Sequence, residues 1–168
     1  MEVQINKVTT SSQVDVVASL AKTIWPDHYS PIIGKEQVDY MLAKYQTPKS
    51  ILAQMELEGN YYFLIYADSE PVGYIGIVEK HNELFLSKLY ILSPERGKGI
   101  GHASIDFLKA RSRDIGAPYI TLTVNKQNVN SICAYEKWGF ENYGEVVTDI
   151  GKGYVMDDYL MRLRISLR

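Results

Sequence analysis

The spacing of apolar positions changes repeatedly along the chain and marks out short strands and helices. Val3–Thr9 reads as a first strand. Ser11-Ser12 then offers an N-cap, and Val14, Val17, Leu20, Ala21 and Ile24 recur at helical spacing. That helix is expected to stop near Trp25-Pro26, because proline disfavours helical backbone in its predecessor, leaving Asp27–Gly34 as an aromatic loop. Lys35–Tyr45 and Pro48–Glu58 read as two further helices. The second is opened by Thr47 as cap and Pro48 in its first turn, and Gly59-Asn60 breaks it. Tyr61–Ala67 is strongly β-prone, Asp68–Glu70 turns the chain into Val72–Lys80, and His81-Asn82 makes the next turn. Leu84–Leu92 is apolar on both faces, as suits a central strand.

Ile100–Ile115 carries one apolar stripe, and Gly116-Ala117-Pro118 ends it. Tyr119–Val124 reads as a strand, Asn128–Trp138 as a helix and Phe140–Thr148 as a strand. Tyr159, Met161, Leu163 and Ile165 alternate with polar residues, the mark of a half-covered strand. No repeat and no linker interrupts this order, so residues 1–168 are expected to form one α+β domain.

Between the central strand and the Ile100 helix lies Arg96-Gly97-Lys98-Gly99-Ile100-Gly101. Its glycines let backbone N–H groups approach a ligand that a Cβ would hold away. The helix N-terminus beyond adds unpaired donors and partial positive charge, a device that holds phosphate. Lys98 is followed by Gly99, so this is no Walker A loop. The glycine spacing and mid-chain position also differ from a dinucleotide fingerprint.

A second segment, Asn125 to Phe140, reads NKQNVNSICAYEKWGF. The R-x-x-G-x-G loop resembles the acyl-CoA pyrophosphate loop of the GNAT N-acetyltransferase superfamily. Asn128, Ser131, Tyr135, Glu136, Lys137, Gly139 and Phe140 fall on that family's downstream motif. The likeness implies a single-domain GNAT-like fold, a twisted, mixed and mostly antiparallel sheet splayed at its central strands with flanking helices. It implies acetyl-CoA as cosubstrate. Backbone groups of Leu89, Tyr90 and Ile91 would pair with the pantetheine arm, and the amides of Arg96, Gly97, Lys98, Gly99, Ile100 and Gly101 would wrap the pyrophosphate, with His102 just beyond. The Ile91 N–H would serve the developing oxyanion. Asn128 would hold the pantetheine amide, Ser131 lie one helical turn from Tyr135, and Lys137 meet a phosphate. Tyr135 stands at the position of the family's general acid. One departure is that the family's proline after the last strand contact is Ser93 here, with Pro94 following.

For the base, Glu79, His81 and Glu83 cluster at the hairpin before the central strand. On the acceptor side, Trp25, His28, Tyr29 and Tyr40 lie in a stretch similar to the bacterial polyamine (spermidine) acetyltransferase subgroup. The rings could enclose an alkylammonium by cation–π contact, with Glu36, Asp39, Asp157 or Asp158 supplying negative charge. The expected reaction is therefore acetyl transfer to a primary amine of a small molecule, a polyamine foremost. Acetylation of protein N-termini or lysines is the alternative within enzymes, and a non-catalytic acyl-CoA-binding regulatory module the alternative outside them.

Composition narrows the partners. A net charge of −2 without a basic run argues against nucleic acid. No apolar stretch is long enough to span a membrane, and MEVQINKVTT has neither the basic start nor the apolar core of a signal peptide. Cys133 is the only cysteine, and His28, His81 and His102 show no metal-ligand spacing, so no disulfide and no metal is expected. A cytoplasmic enzyme follows, for which a homodimer is an open arrangement.

Overall fold

The structure, a computed structural model, describes residues 1–168. In chain order the elements are β1 (Val3–Lys7), α1 (Ser11–Ile33), α2 (Lys35–Tyr45), α3 (Pro48–Met55), β2 (Asn60–Ala67), β3 (Glu70–Glu79), β4 (Leu84–Ile91), α4 (Ile100–Asp114), β5 (Tyr119–Asn125), α5 (Val129–Lys137), β6 (Glu141–Gly151) and β7 (Tyr154–Arg164). The strands form one mixed sheet in the order β1-β2-β3-β4-β5-β7-β6. The parallel pairing of β4 with β5 is confined to Leu84↔Ile120 and Phe85↔Thr121, whereas β5 and β7 pair antiparallel over seven residues. Close contacts group the chain into two compact units, Met1–Val78 with Lys88–Ser104, and Glu79–Ser87 with Ile105–Arg168.

In the first unit, a capping box starts α1. Gln13 N donates to Thr10 Oγ1, and Thr10 N donates to Gln13 Oε1. The cap is therefore Thr10 and not the Ser11-Ser12 pair. The helix also corrects the expected stop at Trp25-Pro26, running on through Pro26 and Pro31 to Ile33, so residues 27–33 are helical and not loop. An internal proline removes one helical hydrogen bond and crowds the preceding turn, a cost of about 3 kcal/mol. Burial offsets it: Ile24 is 2% and Trp25 3% exposed, and Trp25 Nε1 donates to Tyr74 Oη at 2.8 Å. Each such side chain contributes roughly 1.5–3 kcal/mol by leaving water. From Tyr74 a polar chain continues: Tyr74 Oη donates to Gln46 Oε1 (2.6 Å), Gln46 Nε2 to Tyr62 Oη (3.1 Å), and Tyr62 Oη to Gln54 Oε1 (2.6 Å). Buried hydroxyls and amides are tolerated there because each has a partner.

In the second unit, Ile105 and Leu108 of α4 are buried, as are Ile120, Leu122 and Val124 of β5 and Met161 and Leu163 of β7. Gly139 ends α5 with φ +98°, its N–H donating to Glu136 O, and returns the chain to β6. The β6–β7 hairpin is longer than the sequence pattern suggested, because Gly151, Lys152 and Gly153 all take positive φ and turn it tightly. No helix is long and apolar enough to cross a membrane.

Candidate active site

In the first unit the chain leaves β4, makes a single 3-10 turn at Ser93–Glu95 and enters the glycine loop. Arg96 Nε donates back to Ile91 O at 3.1 Å, tying the loop to the strand end. Gly97 (φ +76°) and Gly99 (φ +86°) take left-handed backbone, and a Cβ on either would meet nothing within 4 Å. The room beside the main chain is therefore open to a ligand. Ala103 N donates to Gly99 O and begins the helical ladder, while Ile100, 1% exposed, anchors the first turn in the core. Lys98 Nζ lies 3.1 Å from Glu95 Oε2, so its charge is already engaged at the surface. His102 is exposed on the first turn of α4. Leu89, Tyr90 and Ile91 are half-buried on β4.

In the second unit, Asn128 is 6% exposed and caps α5, accepting from Ser131 N at 3.4 Å. Ser131 is half-buried in the first turn, and Lys137 is exposed at the end of the helix. The half-buried Tyr135 ring sits edge-on to Trp138 (5.7 Å) and Phe140 (5.4 Å). Phe140 N and Trp138 N both donate to Tyr135 O, so the Gly139 turn that closes the helix also holds this tyrosine. Cys133 is exposed.

Three of the four acceptor-side residues come together. Tyr29 and Tyr90 meet hydroxyl to hydroxyl at 2.7 Å, and His28 lies edge-on to Tyr29 with ring centres 4.6 Å apart. Trp25 packs at 5.4 Å from both tyrosine rings. Trp25, expected to help enclose an alkylammonium, is 3% exposed, and its N–H donates to Tyr74. Tyr40, on α2, bonds instead to Lys44 of its own helix (3.3 Å). Burial and then the Arg96 charge push the His28 pKa down to about 4, so the imidazole is neutral at pH 7.

Of the expected bases, Glu79 is bound to Arg111 at 2.8 Å and Glu83 stands 3.5 Å from Lys80. His81 is exposed. Two other groups are perturbed. Lys88 on β4 has no carboxylate or hydrogen-bond partner, lies with Nζ 5.4 Å from the Tyr62 ring centre, and is pushed down to about 8 by burial. Its signal in the sequence was a lone lysine within the apolar run Leu84–Leu92. Asp158 on β7 is 6% exposed, and its Oδ1 is buried without a hydrogen-bond partner. Burial first, and Asp157 second, raise its pKa to about 6. The sequence offers it only as one of four acids that could face a cationic acceptor.

Residues 29–156 match the acetyltransferase (GNAT) domain, and the chain belongs to the GNAT family of acetyltransferases. It is an acetyl-CoA-dependent N-acetyltransferase. It is 29% identical over 118 residues to the peptidyl-lysine N-acetyltransferase YjaB of Escherichia coli, covering 69% of this chain and 74% of that one. It is 25% identical over 139 residues to an aminoglycoside N(6')-acetyltransferase type 1 of Stenotrophomonas maltophilia, covering 77% and 81%. Its fold matches the PaiA N-acetyltransferase of Thermoplasma acidophilum, solved in complex with coenzyme A, with a TM-score of 0.82 at 21% identity over 98% of this chain and 99% of that one.

Proposed function

We propose that the main-chain amides of Arg96 to Gly101 hold the pyrophosphate of acetyl-CoA, that Asp158 takes the proton of an incoming alkyl ammonium, and that Tyr135 protonates the departing thiolate. The loop carries this reading. Its glycines leave open space where side chains would stand, and the N-terminus of α4 follows directly, a combination suited to an anion. Acetyl-CoA supplies the activated acyl group; the chain supplies aim and proton handling. A coenzyme A complex of a protein with this fold agrees with the assignment. Leu89, Tyr90 and Ile91 offer the strand for the pantetheine arm, and Asn128, Ser131, Lys137 and His102 complete the proposed contacts.

An alkylammonium with a pKa of about 10.4 lies roughly 3.4 units above neutral pH, about 4.6 kcal/mol to be met by a base. Asp158, poised near 6 with one lone-pair-bearing oxygen unengaged, is ionised at pH 7 yet basic enough to help. Among amines, the reading favours one presenting a single ammonium, such as a peptidyl lysine, over a polyamine. Lys88 and Arg96 place two cations beside the tyrosine cluster of the first unit, and a polycation would meet like charge there.

The test is release of free thiol from acetyl-CoA with a lysine-containing peptide, an aminoglycoside and spermidine as acceptors. The peptide should turn over faster than spermidine, and Tyr135→Phe should slow the turnover by about 10–1000-fold with coenzyme A affinity nearly unchanged. Binding of coenzyme A without turnover on any of the three would mark a silent acyl-CoA-binding module instead.

A further inference from the structure

We propose that the second unit carries a binding site for a small planar carboxylate, gripped by the Arg162 guanidinium beside Thr121. The site is a cavity of about 350 Å³ lined by Tyr119, Thr121, Tyr143 and Arg162 together with the turn from Lys80 to Glu83. Strand register builds it. Thr121 of β5 pairs with Phe85 on β4 and with Arg162 on β7, so three strands put these residues in one row. Tyr119, two residues before Thr121, shares its face. Tyr143 arrives by a different route. It is the extra residue where β6 slips register between Asn142 and Gly144, and Gly144 N donates to Asn142 Oδ1 at 3.0 Å to hold the bulge. Such a bulge re-aims a side chain.

The outcome is a guanidinium set against two aromatic rings, its central carbon 5.0 Å from the Tyr119 ring centre and 4.9 Å from that of Tyr143. The two rings hold the solvent-exposed guanidinium in place, and no hydrogen bond or ion pair of the chain occupies its N–H groups. A carboxylate fits their fork with two parallel hydrogen bonds. Thr121 adds an independent sign. It is 5% exposed, and its Oγ1 is buried without any hydrogen-bond partner, a cost that is relieved when χ1 turns the hydroxyl toward a ligand oxygen in the cavity that Thr121 lines. Glu83 lines the same cavity and acts on Tyr143 in the sense opposite to Arg162, and Lys80, 3.5 Å from Glu83, offsets part of its charge. The volume lies at the lower end for ligand pockets, and the tyrosine rings suit a flat apolar body, so an aromatic acid is the appropriate size and chemistry. Its lining includes His81 and Glu83, which the sequence offers as bases, but no residue to which the proposed function gives a step.

The test is a residue-resolved NMR titration of the full chain with sodium benzoate and, in parallel, with neutral benzamide at equal ionic strength. Benzoate should give saturable shifts centred on the Thr121 and Arg162 amides, with benzamide at least about tenfold weaker, as loss of the charge-assisted pair requires. Arg162→Gln should weaken benzoate by about tenfold or more, and Thr121→Val by about threefold or more. Arg162→Lys keeps the charge without the fork, should lose several-fold, and carries the test if the glutamine variant fails to fold. Equal binding of benzoate and benzamide, undiminished binding by a folded Arg162 variant, or the absence of saturable shifts at these amides overturns the proposal. Coenzyme A takes no part in the measurement, so its result is independent of the acetyl-transfer reading.

Discussion

Gly73 and Tyr90 stand so close across β3 and β4 that a Cβ on Gly73 would overlap the Tyr90 carbonyl oxygen and come within 3.2 Å of Ile91 Cα. Both contacts are backbone and neither can swing aside. Gly73→Ala should therefore displace Tyr90 and Ile91, the residues assigned to the pantetheine arm. Overpacking of this kind costs about 1–3 kcal/mol, or a Tm lowered by roughly 2–12 °C. Calorimetry should show coenzyme A affinity falling in the same variant, and an unchanged affinity would detach these residues from the cosubstrate.

Gly99→Ala isolates the other end of the proposed coenzyme A site. Its Cβ would touch nothing within 4 Å, so the substitution is strained only through φ +86°. The stability loss should be small, about 1 kcal/mol. Coenzyme A affinity should nevertheless fall about tenfold or more, because the methyl group enters the space beside the amides and the loop relaxes. A thermal melt beside a calorimetric titration separates the two effects.

Asp158 makes the protein's stability depend on pH in the direction opposite to an ion-paired carboxylate. Its folded pKa of about 6 lies above the ordinary 3.8, so the folded state holds the proton more tightly than the unfolded chain does. Its contribution is full below pH 3.8 and is lost as pH rises through 6. Asp158→Asn should therefore gain about 1–2 kcal/mol over the parent at pH 8 and little or nothing at pH 4, by denaturant titration. In the same variant, the rise of acetyl transfer with pH around 6 should disappear.

His28 acts with the reverse sign. Its pKa falls from 6.5 to about 4 in the folded chain, so the unfolded chain binds the proton first. The stability it contributes is present above pH 6.5 and is lost as pH falls toward 4. At full weight the displacement is about 3 kcal/mol, and the partial exposure of His28 reduces it to about 1–2 kcal/mol. Urea midpoints taken from pH 7 to pH 4 should fall less steeply in His28→Gln than in the parent.

The glycine loop, the α5 motif and the order of strands were legible because each is encoded locally. Gly97, Gly99 and Gly139 mark backbone that only a glycine adopts cheaply, and the alternation through Met161, Leu163 and Ile165 marks one covered face. The continuation of α1 through Pro26 was not legible. Its cause is a partner 49 residues away, Tyr74, which receives the Trp25 N–H, together with the burial of Ile24. The packing of the aromatic stretch Trp25 to Tyr29 was equally illegible: composition reports which rings are present, and not that Trp25 is buried.

Residue order alone determined that this chain alternates short strands and helices around a glycine-rich turn, because turns, caps and periodicity act over a few neighbouring residues. Tertiary structure alone decided which charged groups are chemically unusual. Lys88 and Asp158 are ordinary letters in apolar or alternating strands, and they depart from ordinary ionisation only because residues distant in sequence take away their water. Desolvation is a property of assembled surfaces, and it arises only once the strands are laid side by side.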